Sequence, residues 1–307
     1  MVMITEIDKD TIYFSSLFAR HYPELYGEIK DILTKNGVSN GTITNTADYF
    51  CRDYMPVQID MQHYLLYIYD PDYLKEEPEY TTDIELVLST LKKINVEVVK
   101  IPLKLDGGNM IFCQAKNPLD ETSYIVMTDK VMIENESYSK SEIETIIKEP
   151  LLKTCKDVDI LWLPWDESEK CGHTDSIVRY VGIGETGKPK VFVNLEVYEE
   201  KDANDMYDIL SDKMEVVEIQ LPEYDELSWA YINSVQTDDI IIVPGLGNQK
   251  NDATVMEQYE TLFPYYKGKI YLVQMREYVK EWGAALNCST WGFRLLAFRI
   301  YLLMKNY

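Results

Sequence analysis

The sequence predicts an α/β fold in which five similar modules close into a ring. Two observations carry this reading. First, polar sites recur along the chain: Asp53 in Cys-Arg-Asp-Tyr-Met-Pro, Asp106 in Leu-Asp-Gly-Gly-Asn, His173 with Asp175 in Gly-His-Thr-Asp, Asn233 in Tyr-Ile-Asn, and Cys288 in Leu-Asn-Cys-Ser. Their spacings are 53, 67, 60 and 55 residues. Second, the intervals carry an amphipathic helical pattern and then a short β-branched run before the next polar site. A repeat of this length marks a solenoid, a propeller or an array. One thiol, one imidazole and a few carboxylates act together only if they converge, which favours a closed ring over an open stack. A doubly wound sheet is the alternative organisation.

The elements follow in order. A helix over residues 21–35 presents Leu25, Ile29, Ile32 and Leu33, and leads through residues 41–46 to Asp53. A second, over 82–93, presents Ile84, Val87, Leu88 and Leu91, with Thr82 and Glu85 spaced as a capping box. Ser141 and Glu144 repeat that spacing before Ile143, Ile146 and Ile147. Further helices are expected over 203–214 and 252–263, the latter with Val255, Tyr259, Leu262 and Phe263 on one face. Apolar runs at 96–103, 158–163, 216–221 and 270–274 are short and β-branched enough for buried strands. Each site would then sit at a strand end, facing a common axis. Gly-Ile-Gly-Glu-Thr-Gly-Lys-Pro over 182–189 resembles a phosphate-binding loop until Pro189, which supplies no hydroxyl and no helix, so a hairpin turn is expected.

Composition narrows the function. The chain has 307 residues, 46% of them hydrophobic, enough for a large core. No Pro/Ser-rich linker divides it, so residues 1–307 are expected to form one catalytic domain. The net charge of −22 is spread along the chain. That disfavours nucleic acid, whose binding rests on Lys and Arg, and favours a small cation; plain solubility is the bland alternative. No signal-like N-terminus and no apolar run of membrane length is present; the most apolar tail, 295–304, is short and interrupted by Arg299. Cys51, Cys113, Cys155, Cys171 and Cys288 are too scattered for a disulfide framework, so a cytoplasmic protein is expected.

Cys288 follows a small-residue lead-in, Gly283-Ala284-Ala285, and a thiol there becomes nucleophilic where neighbours or a cationic substrate favour thiolate. A lone cysteine is more often buried and inert. In an extended segment His173 and Asp175 would share a face, placing an acid/base group beside a carboxylate. Cys171 would lie on that face too, but no further Cys or His completes a four-ligand set, so no metal is expected. Asp53 sits next to Arg52 and before Pro56, whose ring would stiffen the turn. Asp106 precedes Gly107-Gly108, where a backbone approaches a ligand closely. Convergent carboxylates form a cradle for a guanidinium, whose paired N–H donors match them. Local turn-capping is the ordinary role of such aspartates.

Taken together, Arg52-Asp53-Tyr54-Met55-Pro56, Leu105-Asp106-Gly107-Gly108-Asn109, Gly172-His173-Thr174-Asp175, Tyr231-Ile232-Asn233 and Asn287-Cys288 resemble the motifs of the agmatine deiminase family, in the guanidine-modifying (pentein) superfamily. The resemblance spans nearly the whole chain and includes Porphyromonas-type peptidylarginine deiminase-like proteins. It implies a fivefold pseudosymmetric β/α propeller and hydrolysis of agmatine to N-carbamoylputrescine and ammonia without a cofactor. It implies Cys288 as nucleophile, His173 as general acid/base, Asp53, Asp106 and Asp175 as acidic partners, and Asn233, Arg52 and Asn109 as supporting or substrate-binding residues. The chain departs from the family pattern at Met55 (Gly), Asp106 (Glu), Asn287 (His) and Phe50 (Trp), which bears on substrate more than on reaction type. The rivals are a deiminase of arginine in peptides, an amidinotransferase, and a non-catalytic binding protein of the same fold. A small cationic guanidine is the expected partner, with no nucleic acid or membrane and with a homodimer left open.

Overall fold

The structure, a computed structural model, describes residues 3–91 and 97–295, with backbone alone at 90 and 91. The strands are β1 (Thr11–Ser15), β2 (Ser39–Ile43), β3 (Val57–Gln58), β4 (His63–Ile68), β5 (Glu97–Lys104), β6 (Ile111–Cys113), β7 (Thr122–Thr128) and β8 (Asp157–Leu163). They continue with β9 (Val178–Ile183), β10 (Pro189–Val193), β11 (Glu215–Glu218), β12 (Val235–Gln236), β13 (Ile241–Gly245), β14 (Ile270–Gln274) and β15 (Thr290–Phe293). The helices are α1 (Ser16–His21), α2 (Pro23–Lys35), α3 (Cys51–Tyr54), α4 (Ile84–Leu91), α5 (Lys130–Glu134), α6 (Lys140–Leu151), α7 (Glu200–Lys213), α8 (Gln249–Leu262) and α9 (Arg276–Trp282).

The described strands form five three-stranded sheets with one connectivity. In each, a central strand pairs antiparallel with one neighbour and parallel with the other. Thus β4 pairs antiparallel with β3 and parallel with β5. The same holds for β7 with β6 and β8, β10 with β9 and β11, and β13 with β12 and β14. In the remaining sheet β1 pairs parallel with β2 and antiparallel with β15, Thr11 opposite Phe293, so the last strand completes the first sheet. A parallel pair needs a crossover, and helices supply it: α1 and α2, α4, α5 and α6, α7, and α8. Strand and helix alternate as the repeat predicts, giving an α/β fold.

The helices bury the faces their periodicity marks. Ile29 and Leu33 of α2, Ile143 and Ile147 of α6, Met206 and Leu210 of α7, and Val255 and Tyr259 of α8 are fully buried. On α4, Val87 is buried while Ile84 and Leu88 are partly so; Leu91 and the expected end at 92–93 lie outside the described side chains. The start of the run at 96 and the tail beyond 295 also fall outside them. The caps differ from expectation. Thr82 Oγ1 accepts from Ala47 N–H, so Asp83 caps α4 instead, accepting from Glu85 N–H at 2.8 Å. The box before α6 is Ser139 with Glu142, two residues earlier than the Ser141 pattern. Within the segment 182–189, residues 184–188 form the expected turn between β9 and β10, which pair antiparallel. Among the described residues no helix is long and apolar enough to cross a membrane.

Candidate active site

Each polar site lies on the connection from the third strand of one sheet to the first strand of the next, Asp106, Asn233 and Cys288 each two residues from a strand end. Asp53 sits on the single turn of α3, between β2 and β3. Asp106 opens a 3-10 turn, Gly107–Asn109, before β6. His173 precedes another, Thr174–Ser176, which carries Asp175 ahead of β9. Asn233 follows a third, Ser228–Tyr231, before β12. Cys288 lies between α9 and β15; Gly283 ends α9 in the left-handed conformation (φ 60°), which favours glycine and turns the chain toward the thiol.

These connections brace one another. Arg52 N–H donates to Cys288 O at 3.0 Å, tying the Asp53 turn to the thiol loop. Glycines 107 and 108 permit close approach, but to protein groups rather than to a ligand. A Cβ on Gly108 would lie 2.7 Å from His173 Nδ1 and 2.8 Å from Asp53 Oδ1; one on Gly107 would lie 2.1 Å from Arg52 O. A side chain at Gly108 would push against the imidazole and its carboxylate, and one at Gly107 against the Arg52 backbone and the Tyr67 hydroxyl.

His173 Nε2 donates to Asp106 Oδ2 at 2.9 Å, and His173 Nδ1 lies 3.5 Å from Asp53 Oδ1. The 3-10 turn breaks the expected alternation, so Asp175 faces elsewhere: its Oδ2 accepts from Asn287 Nδ2 at 2.7 Å and lies 3.9 Å from Cys288 Sγ. Asn233 Nδ2 donates to Cys288 Sγ at 3.2 Å, and Asn233 Oδ1 accepts from Cys288 N–H at 3.2 Å. Cys288, His173, Asp53 and Asp175 therefore share the wall of one cavity of about 780 Å³. Cys171 lines it too, but among the described residues no three Cys, His, Asp or Glu side chains are grouped to hold a metal ion.

The electrostatics are strongly coupled. Burial alone would lower the His173 pKa, but the charge of Asp53 and the hydrogen bond to Asp106 outweigh it and lift it to about 10. The imidazole is thus an imidazolium at neutral pH. Burial raises Asp53 well above the usual carboxylate range, against the pull of His173, and burial also raises Asp175. The Cys288 thiol is pushed well up by burial and then by the charges of Asp175 and Asp53; Asn233 works in the opposite direction. Asp53 Oδ1 and Asp175 Oδ1 are buried with no hydrogen-bond partner. Buried carboxylate oxygens are costly unless paired, and both of these retain the capacity to accept a hydrogen bond.

Two residues expected at the substrate play another part. The Arg52 guanidinium is turned away from the cavity, Nη1 donating to Glu6 at 3.1 Å and Nη2 to Met110 O at 2.8 Å. Asn109 Oδ1 accepts from Thr128 N–H at 2.8 Å and Thr174 Oγ1 at 2.6 Å, locking the Asp106 and His173 turns together. Reasoning from sequence missed Tyr73, whose hydroxyl donates to Asp106 Oδ2 at 3.2 Å, on the oxygen that His173 uses. It also missed buried Asp48 in the cavity wall and the aromatic side chains of Tyr49, Trp229 and Trp282. Nothing in the Pro71-Asp72-Tyr73-Leu74 stretch marks the tyrosine out. For Asn287 the signal was present, since it adjoins the nucleophile candidate.

The sequence pattern of the Porphyromonas-type peptidyl-arginine deiminase family matches residues 21–293. No curated protein sequence matches the chain. Several solved structures share its fold at low identity. The agmatine deiminase of C. jejuni with substrate bound superposes with a TM-score of 0.70 at 16% identity, covering 96% of both chains. That of Enterococcus faecalis gives 0.64 at 16% identity over 95% of both. An amidinotransferase from Microseira wollei gives 0.60 at 12%, covering 96% of this chain and 98% of that one.

Proposed function

The chain belongs to the Porphyromonas-type peptidyl-arginine deiminase family, and on that footing we propose that it is a cysteine-dependent deiminase whose substrate is agmatine. One observation carries the proposal. Asp53 and Asp175, each with a buried carboxylate oxygen that has no hydrogen-bond partner, line the cavity that also holds a thiol and an imidazolium. A guanidinium has the planar N–H pairs that such carboxylates accept.

The chemistry follows from the same geometry. The free thiol is held neutral by burial and by the carboxylates; a bound guanidinium offsets those charges and brings the thiolate within reach. Its proton leaves toward Asp175 Oδ2, the acceptor that Sγ faces at 3.9 Å. Sulfur bonds to the guanidinium carbon, and one C–N bond breaks as His173 hands its proton to the departing ammonia. A covalent thiouronium remains. The now neutral imidazole takes a proton from water, whose oxygen adds to the carbon; the C–S bond breaks, the adduct's hydroxyl proton returns to the sulfur, and the ureido product and thiol are released, while the proton held by Asp175 leaves with ammonia as ammonium. Overall one guanidinium and one water give one urea derivative and ammonium. Two easier steps replace one hard hydrolysis.

The five sheets, in this reading, are the blades of a fivefold pseudosymmetric β/α propeller whose axis passes by the site. Their common connectivity and the completion of the first sheet by β15 support it. The five free cysteines support a reducing, cytoplasmic setting. The deciding experiment offers agmatine, arginine and an arginine-containing peptide to the purified protein and measures ureido product and ammonia. Ureido product with equal ammonia supports hydrolysis; amidine transferred to an amine without ammonia rejects it.

A further inference from the structure

The cavity is large for a four-carbon guanidine. At about 780 Å³ it lies in the upper part of the range, roughly 300–1,000 Å³, that encloses drug-sized ligands. Its reacting end is small and fully specified by Cys288, His173, Asp53 and Asp175. What surrounds the remainder is of two kinds. Aromatic side chains form one part of the wall: Tyr49 and Trp282 pack edge to face at 4.9 Å between ring centroids, with Phe50 against both and Trp229 lining the same cavity. Exposed carboxylates, among them Glu77 and Glu226, form another. Among the described residues lining the cavity, Lys170 is the one Lys or Arg, and it too is exposed.

These surroundings have a definite chemical preference. Aromatic faces attract alkylammonium groups and accept methylene chains, and carboxylates at the rim of the cavity add to that attraction. A substrate tail ending in a carboxylate would meet the same sign of charge. A short monoamine would leave much of the wall untouched. Resting on the deiminase reading above, we propose that this cavity takes a guanidine borne on a polyamine longer than agmatine, its additional ammonium groups lying between the aromatic wall and Glu77 and Glu226. The reaction at the guanidinium is unchanged: water in, ammonia out, and a carbamoyl-polyamine as product.

The probe is amidinospermidine, spermidine with one primary amine converted to a guanidine, compared with agmatine. Two quantities are read: kcat/KM on the native protein, and Kd by calorimetry on the Cys288→Ala variant. The expected result is kcat/KM about tenfold higher and Kd about tenfold lower for amidinospermidine, the size of one desolvated cation–aromatic contact. Glu77→Gln and Glu226→Gln should each narrow that gap, lowering kcat/KM for amidinospermidine more than for agmatine. Equal or better binding and turnover of agmatine overturns the proposal and leaves the deiminase reading standing. Tight binding of amidinospermidine without any ureido product supports the ligand class and overturns the deiminase reading. Failure of both compounds to bind overturns the proposal outright.

Discussion

Asn233 and Cys288 grip each other through both polar atoms of the amide: Nδ2 donates to the sulfur and Oδ1 accepts from the Cys288 N–H, each at 3.2 Å. One side chain thus fixes the loop and is placed to stabilise negative charge on the Cys288 sulfur. Removing it should leave the thiol less acidic. A hydrogen bond to a charged group contributes about 1.5–3 kcal/mol, so Asn233→Ala should lower kcat/KM roughly 10- to 150-fold. Iodoacetamide alkylation of Cys288 followed against pH would show its inflection move upward. An unmoved inflection rejects the role.

Cys288→Ala should abolish turnover while the protein stays folded, since the side chain is small and the cavity is already open on one side. Rapid quenching of the native protein with substrate should trap an adduct on Cys288 by mass spectrometry. Turnover by the variant, or an adduct on Cys171 in the same cavity, contradicts the assignment.

The legible part of this protein was its repeat. The order of helix, strand and polar site could be read because short β-branched runs and amphipathic helices have different periods. The last strand before Cys288 has the expected bounds, Ile270–Gln274. What could not be read is the conformation of the turns. The alternation assumed for His173 and Asp175 fails because a 3-10 turn starts between them, and local propensity does not encode that choice. Nor does a motif tell which way its charged residue points. Arg52 adjoins a site aspartate yet faces Glu6, a partner 46 residues away in sequence. Tyr73 reaches Asp106 from a single 3-10 turn, Asp72–Leu74, too short to show a period.

The imidazole should titrate far from its ordinary value. The folded-state pKa of His173, about 10, lies above the usual 6.5 because Asp53 and Asp106 outweigh the effect of burial. The raised value fixes the sign of the linkage. The stability contributed by this protonation is full below about pH 6.5 and is lost as pH rises toward 10. Asp106→Asn removes a charge and an acceptor, so its stability deficit against the native protein should shrink between those limits. NMR titration of the ring protons supplies the direct check: His173 should titrate lower in Asp106→Asn. An unshifted ring rejects the coupling.

Chelation should not affect the reaction. His173 turns to Asp53 and Asp106, whereas Asp175 turns to Asn287, so the residues that spacing suggested as ligands are held apart by hydrogen bonds to other partners. Activity after exhaustive dialysis against a chelator should equal that before it. Activity lost on dialysis and restored by zinc contradicts both the ligand argument and the proposed chemistry.

Agmatine should be processed faster than free arginine or an arginine-containing peptide. The chain carries a net charge of −22, and its site holds two buried carboxylate oxygens without a hydrogen-bond partner. A dication is drawn to such a field, while an α-carboxylate is repelled by it. Long-range attraction is screened by salt, with a Debye length of about 8 Å at physiological ionic strength, whereas contacts inside the cavity are screened far less. The steering part of kcat/KM for agmatine should therefore fall as salt rises, and the part set by the pocket should persist as a plateau. Measuring kcat/KM for all three compounds at low and high salt separates the two. Arginine or the peptide running faster at both salt concentrations contradicts the substrate assignment while leaving the deiminase chemistry in place. A salt-independent preference for agmatine would instead assign selectivity to the cavity wall, and variants of Asp48 and Trp282 would then be the ones to measure next.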